Sequence, residues 1–377
     1  MTLTGFVLLY IVATIAIGVI AATRVKNTSD FALAGRSLPL PMVITATFAT
    51  WFGSETILGL PGRFIESGIA GVIEEPFGSG MALILVGTFF AHKLYKQNIL
   101  TLGDYYRDRY GRSVELLCSV AIVISYLGWV GAQVTALGLV INLITEGAVS
   151  MTTGMVIGAA VVLAYTMVGG MWSVAMTDFV QMIVIVVGLV AILWFATDLA
   201  GGMDKVVDYA RGRDLFHAFP EPTTTGWLFW ISAAMTMMIG SIPQQDVFQR
   251  VMSAKNLPTA VAGPILGGSF YILFAFVPMF IVVAAILVMP DAAEKMLSED
   301  PQQLLPTLVR DYMPMWLRVV FFGAVLSAVM STASATMLAP STIFVENVLR
   351  HFMKIDDRNM LRAMRLSVAV FAVCVLS

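Results

Sequence analysis

Charged side chains are scarce in this sequence. Asp, Glu, Lys and Arg together make up 12% of its 377 residues, whereas apolar residues make up 58%. An ordinary soluble domain is about one quarter charged, so the composition excludes that class of protein. The formal net charge of −2 leaves no basic excess to neutralise a phosphate backbone. We therefore expect no nucleic-acid partner.

Cysteine and histidine are also rare. The two cysteines, Cys118 and Cys374, lie in apolar stretches, which argues against a disulfide framework and against a cysteine metal site. The three histidines, His92, His217 and His351, lie in or beside polar segments and form no His-Glu-x-x-His pattern. No pair of nucleophile and base stands out among the polar residues of the apolar stretches. The chain is therefore not expected to be an enzyme.

The sequence contains long windows without a charged residue. Nine of them are about as long as a bilayer crossing requires, roughly 17 to 25 residues or more. We number them span 0 to span 8, and they cover residues 1–23, 37–54, 76–92, 116–145, 147–177, 179–197, 222–245, 256–290 and 319–345. A tenth window, span 9, holds only the 12 residues 366–377, too few to cross about 30 Å of hydrocarbon. The sequence predicts an all-α integral membrane protein of about ten helices that ends inside the last one.

Lysine and arginine are distributed unevenly over the connections between the spans. Alternate connections hold fifteen of the 22 basic residues: Arg24, Lys26, Arg36, Lys93, Lys96, Arg107, Arg109, Arg112, Arg250, Lys255, Arg350, Lys354, Arg358, Arg362 and Arg365. The other connections hold seven: Arg63, Lys205, Arg211, Arg213, Lys295, Arg310 and Arg318. Cytoplasmic connections carry the excess of Lys and Arg. The first set is therefore predicted to be cytoplasmic, with the chain in the plasma (inner) membrane and its N-terminus outside.

Spans 1 and 6 contain helix-breaking residues at corresponding places. Span 1 carries Gly53 and Ser54 at mid-membrane, directly before Glu55, and the segment closes with Gly59, Pro61 and Gly62. Span 6 carries Gly240, Ser241 and Pro243, with Asp246 close behind. Paired interruptions five helices apart are typical of inverted-repeat transporters, in which unwound backbone lines a site near the midplane. The alternative is that Gly and Pro are simply more frequent in membrane helices than in soluble ones.

Span 8 carries a run of small polar residues from Ser327 to Thr342. Ala328, Ser331 and Thr332 are spaced i, i+3 and i+4 and therefore share one helical face. Their hydroxyls, together with carbonyls freed by the break in span 1, offer oxygen ligands to a small hard cation such as sodium. The alternative is close helix packing through small residues.

These motifs resemble those of the sodium:solute symporter family over nearly the whole chain. The resemblance is carried by residues 49–62, LAYTMVGGMWSVAMTDFVQ at 163–181, IPQQDVFQR at 242–250 and SAVMST at 327–332. It implies a LeuT-type core of five plus five inverted helices, preceded by one extra N-terminal helix. The expected organisation is a single transporter core, with the extra helix at 1–23, the first repeat at 37–200 and a second, incomplete repeat at 222–377.

Family membership also implies sodium-driven import of a small organic solute by alternating access. The sodium ligands would be the backbone carbonyls of Ala49 and Phe52 and the Ala328, Ser331 and Thr332 face of span 8. Asp178, at the cytoplasmic end of span 5, would support sodium binding. From its position alone, Asp178 is equally well explained as an interfacial charge.

Within the family the motifs are most similar to the choline transporter branch. Trp51 and Trp129 would suit a quaternary ammonium by cation–π attraction, although both are also explained as packing aromatics. Gln244 stands where that branch would place another aromatic, and it suits a zwitterion equally well. Glu55 and Thr56 occupy positions where relatives place polar groups that contact the substrate. The expected solute is therefore cationic or zwitterionic, such as a quaternary ammonium or an amino acid.

Two other functional classes are considered. Some family members carry a C-terminal signalling domain, so the chain could be the transporter-like sensor domain of a membrane signalling protein. An ion channel would be expected to show pore-lining repeats or charged rings, and none is visible in the sequence. The expected partners are sodium, a small organic solute and the lipid bilayer, with the chain a monomer or weak oligomer.

Overall fold

A computed structural model describes residues 3–353 and 355–376 of the chain. Met1, Thr2 and Ser377, at the ends of spans 0 and 9, and the basic residue Lys354 lie outside the described residues. The longer helices of the described part are Leu3–Ala22, Leu40–Trp51, Leu60–Gly71, Ile73–Gln97, Arg112–Ile144, Met151–Leu199, Thr224–Gly240, Leu257–Val288, Met315–Phe352 and Asp357–Leu376. The shorter helices are Thr28–Leu33, Ala34–Arg36, Glu55–Gly59, Leu102–Tyr110, Met203–Gly212, Gln245–Ser253, Pro290–Glu299, Pro301–Gln303 and Leu304–Tyr312.

The described helices account for the ten windows found in the sequence. Seven are long and apolar enough to cross a membrane, and the bent pair Thr224–Gly240 and Gln245–Ser253 makes an eighth crossing. The seven include Asp357–Leu376, so the expectation that span 9 is too short to cross is wrong: its helix begins before the charge-free window and has 20 residues. Leu40–Trp51 supplies the shorter apolar half of span 1. The 49-residue helix Met151–Leu199 contains both span 4 and span 5. The all-α membrane architecture predicted from the windows is thereby confirmed.

The boundary between spans 4 and 5 differs from the sequence expectation. The windows placed it at Asp178, but the backbone leaves the helical conformation at Gly170, with φ 49° and ψ −136°. A Cβ atom at Gly170 would lie 2.3 Å from the carbonyl oxygen of Phe31, so this turn requires glycine. Asp178 therefore lies about two turns inside span 5 and is buried. The windows missed the turn because it carries no charge.

Span 1 is interrupted where the sequence predicts it. The first helix ends at Trp51, Phe52 has a ψ of 73°, and the chain becomes helical again before Glu55. The later breakers Gly59, Pro61 and Gly62 do not end the helix, which continues through wider π-type turns as far as a kink at Gly68, where φ is 60° and ψ is −160°.

Span 6 is broken in the corresponding place. Thr224–Gly240 and Gln245–Ser253 meet at an angle of 46°, with residues 241–244 between them. The break contains Ser241 and Pro243, two of the three residues from which it is predicted. Two interrupted spans thus occupy equivalent positions in the two halves of the chain.

Span 8 lies at the centre of the bundle. Of its most apolar window 89% is buried, against 22% for span 0. It packs against spans 1, 3, 4 and 5, and its serine, alanine and threonine side chains allow that close approach. This packing brings the Ser331 and Thr332 face up to the break in span 1.

The connections between the spans collect at two ends of the bundle. At one end, which we call the basic end, lie the connections around 24–36, 93–115, 246–255 and 346–365. There the Tyr95 hydroxyl donates to the Ala254 carbonyl at 2.8 Å. At the other end, the Ile69 N–H donates to the Leu215 carbonyl at 2.9 Å. The alternate connections therefore share an end, as the count of basic residues requires.

Candidate functional site

The break in span 1 is held against span 8 by hydrogen bonds. The Ala49 carbonyl accepts from the Thr332 hydroxyl at 3.2 Å, and the Ser331 hydroxyl oxygen lies 3.3 Å from the same carbonyl oxygen. Gly53 makes the approach possible, since a Cβ atom there would lie 2.9 Å from the Thr332 hydroxyl oxygen. Three of the residues proposed from the sequence as sodium ligands thus come together, although they lie about 280 positions apart in the chain.

Asp178 joins the same group from span 5. The Ser331 hydroxyl donates to Asp178 Oδ1 at 2.5 Å. The carboxylate is fully buried, and Asp178 Oδ2 has no hydrogen-bond partner among the residues that the structure describes. We call Ala49, Asp178, Ser331 and Thr332 the span 1–8 cluster. An unpartnered buried carboxylate oxygen is costly. The buried guanidinium of Arg250 interacts electrostatically with this carboxylate, and the oxygen without a hydrogen bond can accept a further positive group.

The other two proposed sodium ligands lie close to this cluster without bonding to it. Ala328 is buried on span 8, about one turn before Ser331. Phe52 is buried at the break, and its ring stacks on Phe48 with centroids 4.8 Å apart. Within the described residues, no hydrogen bond outside the backbone ladder of a helix joins either of them to the cluster.

The chemistry of the span 1–8 cluster fits a sodium ion. Hard cations prefer oxygen ligands, namely carboxylates, carbonyls and hydroxyls. The cluster offers one backbone carbonyl, two hydroxyls and a carboxylate with one free oxygen. All of these oxygens are buried, so water does not compete freely for an ion held there.

A cavity of about 280 Å³ lies next to the break in span 1. We call it the tryptophan cavity; it is lined by Trp51, Glu55, Glu75, Ser125, Tyr126, Trp129, Met237 and Gln244. The Trp51 and Trp129 rings are 5.5 Å apart between centroids, and Trp129 also stacks on Tyr126 at 5.9 Å. Four of the five proposed substrate-contacting residues, Trp51, Glu55, Trp129 and Gln244, therefore share one cavity.

Several polar atoms of this cavity have no protein partner. Trp51 Nε1 and Gln244 Oε1 are buried without a hydrogen bond in the described part of the chain. Glu55 forms no ion pair in that part of the chain, whereas Glu75 Oε2 pairs with Arg63 Nη2 at 4.0 Å. The cavity thus combines aromatic faces with a donor, an acceptor and a carboxylate that remain available to a ligand.

Thr56, the fifth residue proposed from the sequence, does not line the cavity. Thr56 is fully buried in the protein, whereas the neighbouring Glu55 is exposed. Its hydroxyl donates to Glu75 at 2.9 Å, and the Tyr271 hydroxyl donates to the same carboxylate oxygen at 2.6 Å. Thr56 therefore positions Glu75, which lines the cavity, without lining the cavity itself.

Sequence reasoning did not identify Tyr126 and Glu75 as part of this site. The Tyr126 hydroxyl donates to Asp246 Oδ1 at 2.5 Å, and Asp246 Oδ2 is buried without a partner in the described chain. This pair joins span 3 to the helix that follows the break in span 6. One indication was present in the sequence, because Tyr126 precedes Trp129 by one helical turn and Asp246 follows the predicted break.

A larger cavity of about 890 Å³ opens away from the basic end. Ser54, Glu55, Arg63, Glu66, Thr135 and Asp300 are among the residues that line it. Glu55 lines both this cavity and the tryptophan cavity. The carboxylate of Glu55 therefore lies between the open side of the bundle and the aromatic site.

The fold matches solved structures, among them that of a sodium-coupled symporter. A structure of a Na+-coupled sialic acid symporter in a substrate-bound outward-open state superimposes with a TM-score of 0.87 at 18% identity, over 99% of this chain and 79% of that one. MhsT in complex with L-phenylalanine superimposes with a TM-score of 0.64 at 11% identity, over 89% and 78% of the two chains. These similarities confirm the LeuT-type fold.

The sequence is also similar to named transporters, and the match covers less of their length than of this chain. The human high affinity choline transporter 1 is 28% identical over 97% of this chain and 65% of its own length. The sodium/glucose cotransporter 4 of Danio rerio is 26% identical over 91% of this chain and 57% of its own. The chain thus spans less than two thirds of these relatives. They are transporters, which confirms the non-enzymatic prediction. Residues 31–377 match the family model, and the chain therefore belongs to the sodium:solute symporter family.

Proposed function

We propose that the chain is the core of a sodium-coupled symporter that imports a small cationic or zwitterionic solute by alternating access. Sodium binds at the span 1–8 cluster, and the solute binds in the tryptophan cavity. The observation that carries the proposal is the break in span 1, which contributes to both sites. Ala49 presents its carbonyl to span 8, while Trp51, two residues later, forms a wall of the cavity.

The lining of the tryptophan cavity supports this solute class. Two tryptophan faces and the unpaired Glu55 carboxylate attract positive charge. Gln244 Oε1 and Trp51 Nε1 add one acceptor and one donor, which suit an ammonium and a carboxylate or hydroxyl group respectively. A volume of about 280 Å³ lies just below the usual range of ligand pockets, about 300–1,000 Å³, and favours a small molecule.

The shared break also supports sodium coupling. An ion bound by the Ala49 carbonyl and the span 8 hydroxyls fixes the end of the helix that carries Trp51. Solute that contacts Trp51 then binds better when sodium is present. By thermodynamic linkage, sodium binds better by the same factor when solute is present.

The distribution of basic residues supports an orientation in the membrane. Of the 21 lysines and arginines that the structure describes, fourteen belong to the connections of the basic end, which lies on the cytoplasmic side of the plasma membrane. The 890 Å³ cavity then faces outside, as does the N-terminus. Solute reaches the tryptophan cavity from this side past Glu55.

The test is uptake by the chain in proteoliposomes. Labelled choline, betaine, proline, monocarboxylates and sugars are offered with an inward sodium gradient and with potassium in its place. We expect accumulation of a cationic or zwitterionic compound in sodium alone. Equal uptake in potassium would contradict sodium coupling. Sodium-dependent binding without accumulation would favour the sensor domain instead.

A further inference from the structure

A third cavity, at the basic end, is not part of either site described above. It measures about 530 Å³ and lies between the end of span 2, the helix Leu102–Tyr110 and the break in span 6. We call it the interfacial cavity. Its lining includes Phe89, Phe90, Lys93, Tyr106, Arg109 and Pro243.

The charge of the interfacial cavity is positive and uncompensated. Lys93 and Arg109 line it, and no acidic residue does. Among the described residues Lys93 forms no ion pair, and Arg109 lies beside the Tyr110 ring, whose centroid is 5.9 Å from its guanidinium carbon. The neighbouring carboxylate of Asp108 forms an ion pair with Arg107, with Oδ1 and Nε 3.4 Å apart. Two cations therefore remain available to an anionic ligand.

The position of the cavity along span 2 places it at the membrane surface. Phe89 and Phe90 belong to the charge-free window 76–92 and are 61% and 41% exposed, so they face lipid. Lys93 follows Phe90 by about one turn. An apolar wall at the depth of the acyl chains is therefore followed by a cationic rim at the depth of the headgroups.

We propose that the interfacial cavity binds an anionic phospholipid. The headgroup phosphate pairs with Lys93 and Arg109, and an acyl chain lies along Phe89 and Phe90. A freely soluble phosphate would leave the aromatic wall unused, and a neutral lipid would leave the two cations unpaired. Basic pockets between membrane helices on the cytoplasmic side are suited to such headgroups.

The bound lipid has a direct route to the transport site. Ile242 and Pro243 line the interfacial cavity, and the next residue, Gln244, lines the tryptophan cavity. An anionic lipid therefore contacts the segment at which span 6 bends and biases its conformation. This consequence for transport rests on the proposed function, whereas lipid binding does not.

The test measures lipid retention by the purified full chain in neutral detergent. Native mass spectrometry counts phosphatidylglycerol and phosphatidylcholine molecules that stay bound from an equimolar mixture. The double substitution Lys93→Gln with Arg109→Gln should lower the preference for phosphatidylglycerol about thirtyfold, the factor expected from two basic residues near a membrane surface. The charge-conserving pair Lys93→Arg with Arg109→Lys should retain the preference.

A matched control separates the cavity from the general charge of this end. Lys96→Gln with Arg112→Gln removes the same charge from exposed residues of the basic end that do not line the cavity. It should leave the preference unchanged, and both glutamine pairs should unfold at the same temperature as the parent chain. An equal loss in the control, no preference in the parent chain, or displacement of the lipid by inorganic phosphate would each overturn the proposal.

Discussion

Removing two hydroxyls from span 8 tests the sodium site most specifically. The Ser331 and Thr332 hydroxyls lie 3.3 and 3.2 Å from the Ala49 carbonyl, and Ser331 also donates to Asp178 at 2.5 Å. The double substitution Ser331→Ala with Thr332→Ala removes two of the oxygens that we assign to sodium. At about 1 kcal/mol for each ligand oxygen removed, the cost is about 2 kcal/mol. The sodium concentration for half-maximal uptake should therefore rise roughly thirtyfold.

The same helix offers a control with the same change in composition. Thr336 and Ser341 are buried, and their hydroxyls donate to carbonyls of their own helix at 2.8 and 2.7 Å. Thr336→Ala with Ser341→Ala should leave the sodium dependence within about twofold of the parent chain. Uptake is measured in proteoliposomes across a series of sodium concentrations at constant ionic strength. An unchanged sodium dependence in the first pair, or an equal change in both pairs, would refute the assignment.

Three further substitutions test other parts of the two sites. Asp178→Asn should raise the half-maximal sodium concentration while the purified protein keeps its unfolding temperature, since intramembrane acids are functional by default; a variant with normal sodium activation would return Asp178 to a structural role. Trp51→Ala should weaken solute binding about tenfold, about 1.4 kcal/mol for one cation–π interaction, with a smaller effect on sodium; unaltered affinity for every transported solute would remove the solute from this cavity. Gln244→Trp adds an aromatic wall and should improve choline binding in a competition assay, and weaker choline binding would argue against an aromatic cage.

Much of the architecture follows from local features of the sequence. Charge-free windows predict the spans because a charge inside a bilayer is costly. The breaks in spans 1 and 6 are visible as glycine, serine and proline near the end of a charge-free window. The turn at Gly170 is not visible in this way, because it lies inside an uncharged stretch and is required by the approach of Phe31. A boundary that is set by packing cannot be predicted from the distribution of charged residues.

The sites are predictable to a smaller extent. Ser331 and Thr332 share a face by simple helical spacing, and the family motifs pair that face with Ala49. The direction of Thr56 depends on the wider turns that follow the break, which its residue type does not reveal. The Tyr126–Asp246 pair depends on the packing of span 3 against the helix that follows the break in span 6, between residues 120 positions apart. The roles assigned to all these residues stay predictions until they are tested.

The most direct test of the shared break in span 1 is the linkage between sodium and solute. Equilibrium binding of the solute to the purified chain is measured at several sodium concentrations, and binding of sodium is measured with and without saturating solute. We expect sodium to increase the solute affinity, and solute to increase the sodium affinity by the same factor, because both ligands stabilise one arrangement of the break. Solute affinity that is the same in sodium and in potassium would contradict the account.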